Sequence, residues 1–129
     1  MTDANHDQDY DDGRSQFTMH REGSYAVITF GGESTIEGTR AFTTWVDQQA
    51  ELVAPDRLLV QMDIRQLSSV GFRVKLAMGK WILRARSYIG GVAVVGDNPA
   101  ARALAGAIPG VQFFDEPTSA RQWLIGDGN

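Results

Sequence analysis

Apolar residues recur along this chain with two different periods, and the switches between them mark the elements. Phe17–Arg21 and Tyr25–Phe30 are strand-like runs on either side of Glu22-Gly23-Ser24, where a glycine supplies the positive φ of a tight reversal; the pattern predicts an antiparallel hairpin. After Gly31-Gly32 the period lengthens. Ser34 or Thr35 can cap a helix to about Val53, in which Phe42, Trp45, Val46, Gln49, Leu52 and Val53 share one side at about 100° per residue. Arg40, Thr44, Asp47 and Glu51 fall on the other side. Ala54-Pro55-Asp56 stops that helix, and Leu58–Met62 is a nearly continuous apolar run, as expected of a strand covered on both faces.

A second helix is predicted from about Val70 to Ser87, followed by a buried strand over Ile89–Val95. Asn98 and Pro99 give a start signal for an Ala-rich helix through Ile108. Val111–Phe114 reads as a short strand, and Asp115-Glu116-Pro117 leads a last helix through Ala120, Trp123 and Leu124. Strands alternating with helices after an initial hairpin imply an α/β fold with a largely parallel sheet.

The second helix has two apolar sides. Val70, Val74, Ala77, Met78, Trp81, Ile82 and Ala85 form the broad stripe that should meet the sheet. Phe72, Leu76, Gly79 and Leu83 lie opposite, at the spacing of a second packing seam. Arg73, Lys80 and Arg84 flank that seam on one edge, with Lys75 and Arg86 on the other. Either a neighbouring helix of the same chain covers it, or it is an exposed strip for a second copy, a protein partner or anionic lipid.

Charge sharpens this picture. The net charge is -4, but Asp3, Asp7, Asp9, Asp11 and Asp12 all precede Arg14, and without them the body is near +1. Residues 1–14 therefore read as an acidic, disordered tail and 15–126 as one domain. Its charge also makes the tail a possible ligand for the basic rim of the second helix. Six of the 12 lysines and arginines fall between Arg65 and Arg86, and no acid lies between Asp63 and Asp97. The chain has 129 residues, no run of ~18 apolar residues to span a bilayer, and an acidic start unlike a signal peptide, so a non-transmembrane, cytoplasmic protein is expected.

The absence of cysteine rules out disulfides and thiolate chemistry. His6 and His20 have no second histidine at ligand spacing, there is no phosphate-binding glycine loop, and no metal or cofactor is expected. Asp63 and Asp97 end their strands where open α/β sheets place sites, though strand-end carboxylates more often cap loops. A hydrolytic set would need His20 beside Ser68 or Ser69. A pI near 5.0 and the lack of interleaved basic and aromatic residues argue against nucleic acid.

The element order, the segment Leu58-Leu-Val-Gln-Met-Asp-Ile-Arg-Gln-Leu-Ser-Ser-Val-Gly71, Val92-Ala-Val-Val-Gly-Asp97 and the ending Phe113-Phe-Asp-Glu-Pro-Thr-Ser-Ala-Arg-Gln-Trp-Leu124 resemble the SpoIIAA-like group of STAS domains. Within it the chain is similar to a branch of small stand-alone bacterial proteins of unassigned role. The resemblance implies a mixed, mostly parallel five-stranded sheet with an N-terminal hairpin and about four flanking helices. It also implies a non-catalytic regulatory or protein-interaction role, with a small apolar or anionic ligand carrier, such as a lipid carrier, as the alternative.

Anti-anti-sigma factors of this group carry a phosphorylatable Ser or Thr in Asp-Ser-Ser/Thr-Gly before the helix. Here Ser68 and Ser69 occupy that place, with Ser68 where the motif has Asp and Val70 before Gly71. They are candidates for a regulatory site or a helix cap. The candidate partner surface is Phe72, Arg73, Leu76, Gly79, Lys80, Leu83 and Arg84.

Overall fold

The computed structural model describes residues 7–97 and 111–126. Six strands follow one another across a single sheet in chain order: β1 (Asp7–Asp11), β2 (Ser15–Glu22), β3 (Tyr25–Glu33), β4 (Leu58–Ser69), β5 (Ile89–Val95) and β6 (Gln112–Phe114). The β1–β2 and β2–β3 pairs are antiparallel, whereas β3 to β6 run parallel to one another. Helix α1 (Ile36–Val53) links β3 to β4 and α2 (Phe72–Ala85) links β4 to β5. The chain then adds α3 (Pro117–Arg121) and a π-helical turn, Gln122–Gly126. The helix expected over residues 98–108, with Asn98 and Pro99, lies outside the described residues.

The hairpin forms where expected, with Gly23 at φ 58 in its turn. Gly32 is needed for a different reason. At φ 73 it lets β3 pass so close to the β1–β2 turn that a Cβ there would sit 2.4 Å from the Arg14 carbonyl oxygen.

The sheet has six strands rather than five because the acidic segment adds an edge. Asp7, Asp9 and Asp11 pair with His20, Thr18 and Gln16 on the exposed face of β2, while Tyr10 stacks on buried Phe17 at 4.8 Å. A strand with one face in water needs little apolar content, so the low hydrophobicity that suggests a disordered tail is here compatible with pairing. Asp12 closes the turn. Its carboxylate accepts from the amides of Arg14 and Ser15 (3.0 and 2.8 Å) and from the hydroxyls of Tyr10 and Thr35 (2.8 and 2.6 Å). The bond from Thr35, and then those from the two amides, hold this carboxyl well below the ordinary carboxylate range.

The main core lies between one face of the sheet and α1 with α2. Met19, Ile28, Val60, Met62, Ile64 and Val94 supply the sheet side, and Phe42, Trp45, Val46, Val74, Met78 and Trp81 the helix side. Leu52 departs from the expected apolar stripe of α1 and is 52% exposed. On the opposite face Ala93 and Val95 pack under Ala120, with Phe114 and Leu124 beside them.

Candidate interaction surface

Strand β4 is longer than its apolar run. Ile64 and Leu67 are buried, but two exposed residues separate them because the β3–β4 register shifts between Thr29 and Gly31. The strand therefore continues through Ser68 and Ser69, and α2 starts at Phe72 with Gly71 as its N-cap. This corrects the helix-cap expectation for both serines. Ser68 Oγ donates to the Gly32 carbonyl at 2.9 Å, and the Ser69 carbonyl accepts from the Ser34 amide at 3.1 Å. Both side chains are exposed. No side chain caps α2, and its first turn carries no acid.

Of the expected core-facing stripe of α2, Val74, Met78, Trp81, Ile82 and Ala85 are buried, while Ala77 is half-buried in the groove beside α1 and Val70 precedes the helix. The second seam is open, with Phe72, Leu76 and Leu83 at 69%, 50% and 59% exposure. α1 packs along the other edge of α2, where Phe42 and Trp81 meet edge to face at 5.3 Å. Asp47, placed by the sequence on the polar side of α1, fixes that contact. Its Oδ1 accepts from Trp81 Nε1 at 2.9 Å and from the Tyr88 hydroxyl at 2.6 Å. Burial, and then this bond to Asp47, push the Tyr88 hydroxyl up to about 12.

Two depressions border the ridge formed by Leu76 and Lys80. One, of about 320 Å³, is lined by Phe72, Leu76, Gly79, Ile82 and Leu83, with Lys75 and Lys80 at its rim. The other, of about 470 Å³, is the groove between the helices, where Arg40, Thr39 and Thr43 of α1 face Arg73, Lys80 and Arg84 of α2. Arg73, Lys80 and Arg84 were legible as a basic edge. Arg40, Thr39 and Thr43 were not, because only the packing of α1 against α2 brings them there.

Asp63, expected to end its strand, lies inside β4 opposite Val95, and His20 sits two strands away in a different row. Asp63 is buried and bound by Arg65, whose Nε and Nη2 lie 3.0 and 2.7 Å from its oxygens. Asp97 is exposed beyond the end of β5. His20 is on β2 in the row of Val27 and Gln61, held between Asp7 and Glu22. The bond to Asp7 is the main cause of its raised pKa. Ser68 lies toward the opposite end of the sheet, beyond Gly32. Among the described residues, no group of three His, Asp or Glu side chains is placed to hold a metal ion. His6 lies outside them.

The acidic strand does not reach the basic rim of α2 in its own chain. Asp7, Asp9 and Asp11 are on the edge strand and share the sheet face opposite the helices. No helix among the described residues is long and apolar enough to cross a membrane.

No family model matches the sequence, and no curated protein matches it. Solved structures similar to it include the following two. One is an uncharacterized DUF3478-family protein with a SpoIIAA-like fold from Shewanella loihica PV-4, at 19% identity over 86% of this chain and 94% of that one, with a TM-score of 0.62. The other is an anti-sigma factor antagonist from Mycobacterium paratuberculosis, at 16% identity over 88% and 97% of the two chains, with a TM-score of 0.57. At such identities the fold is what is shared, and the chain has a SpoIIAA-like α/β fold.

Proposed function

We propose that this chain is a non-catalytic protein-interaction module of regulatory type, working through the β4–α2 turn and the outward side of α2. One observation carries the reading: Phe72, Leu76 and Leu83 are exposed on a helix whose opposite side is already committed to the core. Large side chains held in water on a well-packed helix favour a surface that is covered by something else. The anti-sigma factor antagonist of the same fold supports a regulatory protein partner. A carrier of a small ligand is the second reading: the core recess bounded by Phe30, Phe42, Met62 and Met78 holds only about 20 Å³, and the depressions of ligand size, about 320, 400 and 470 Å³, all border α2.

Ser69 belongs to this surface as a modification site. It is exposed and lies two residues before an N-cap with no side-chain bond, so a phosphate there would place negative charge at the positive end of α2.

The test is affinity capture from the native host with wild-type protein and with Leu76→Glu plus Leu83→Glu. A partner held by the wild type and lost by the folded double variant supports the reading. Equal capture by both proteins contradicts it.

A further inference from the structure

The two depressions beside Leu76 and Lys80 differ in chemistry, and together they describe what fills them. In the α1–α2 groove, Arg40, Arg73, Lys80 and Arg84 face one another with no carboxylate in the lining. None of the four takes part in an ion pair among the described residues. Arg84 also interacts with the Tyr88 hydroxyl, which donates together with Trp81 Nε1 to Asp47 Oδ1. Like charges gathered in one groove repel, so a ligand bringing the opposite charge is favoured there. The neighbouring depression is apolar and shares Leu76 and Lys80 as its wall.

We infer that the partner presents an acidic amphipathic helix, with apolar side chains over Phe72, Leu76 and Leu83 and carboxylates along one flank in the Arg40–Arg73–Lys80–Arg84 groove. This rests on α2 being the interaction surface. A helix is about 10 Å across and carries an apolar stripe beside a charged flank, which suits two unlike depressions separated by one ridge. A flat anionic bilayer meets the ridge but leaves both depressions unfilled. A polyphosphate chain answers the groove and not the apolar depression.

The experiment titrates isotopically labelled full-length protein with two synthetic helical peptides and, in parallel, with phosphatidylglycerol vesicles. The peptides share a leucine stripe at i, i+3, i+4 and i+7 and differ only in a flank of glutamates or of lysines. The glutamate peptide should shift the amides of Thr39, Thr43, Leu76 and Lys80 and bind at least about tenfold more tightly than the lysine peptide. That preference should shrink at high salt and in Arg40→Gln with Lys80→Gln. Equal binding of both peptides at Phe72, Leu76 and Leu83 would overturn the acidic partner and leave the interaction surface standing. Vesicle binding with neither peptide bound, or no binding at α2 at all, would overturn both.

Discussion

Two helices lie side by side on the same face of the sheet, and the chain completes only one of them. α1 begins at Thr35, whose Oγ1 accepts from the Gly38 amide at 3.0 Å while its hydroxyl donates to Asp12. Its outward residues, including Thr44, Gln48 and Glu51, are mostly polar. α2 begins at a glycine with no side-chain cap and turns Phe72, Leu76 and Leu83 outward among cations. Both helices bury a tryptophan in the core. They differ at their starts and on their outer sides, where stability gains least and contact with another molecule gains most. α1 is thus built to hold the sheet, and α2 to hold the sheet and meet something else.

The largest effect should come from the buried side the helices share. Trp81→Ala removes a side chain that contacts Phe42 and donates to Asp47, and a loss of about 3–5 kcal/mol in urea unfolding is expected. Next is the start of α1, where Thr35→Ala should cost about 1 kcal/mol, read by the same method. The reverse change at α2 sharpens the comparison. A side chain added at Gly71 meets nothing within 4 Å, and its φ of -76 is open to any residue, so Gly71→Asp should add a few tenths of a kcal/mol.

The acidic edge supplies a test by pH. Asp12 has a lowered folded pKa, so its contribution is present above the ordinary value of 3.8 and is lost as pH falls toward the folded one. His20 has a raised folded pKa, so the Asp7 contact contributes fully below 6.5 and is lost as pH rises through the folded value. Melting temperature should therefore fall slightly on the alkaline side of 6.5 in the wild type. In His20→Gln that slope should be flatter.

Much of this fold was legible in the sequence, because burial leaves periodic traces. The hairpin, a start of α1 at Ser34 or Thr35 and the Val74–Ala85 stripe of α2 each follow from sequence pattern alone. β1 was missed because its strand signal is three aspartates at alternate positions on a face that stays in water. The end of β4 was missed because a register shift breaks the period of two between Ile64 and Leu67. That one irregularity moved Ser68 and Ser69 from a helix start onto a strand. Most of the candidate surface could be read from α2 by itself. The rest, Arg40 with Thr39 and Thr43, depends on a contact between elements that no local pattern encodes.

The account turns on whether the outer side of α2 is surface or core, and urea unfolding of Leu76→Glu with Leu83→Glu addresses that most directly. A surface predicts a cooperative transition shifted by under about 1 kcal/mol from the wild type. A loss of several kcal/mol, comparable to that of Trp81→Ala, would show that the strip is part of the core and would contradict the proposed role.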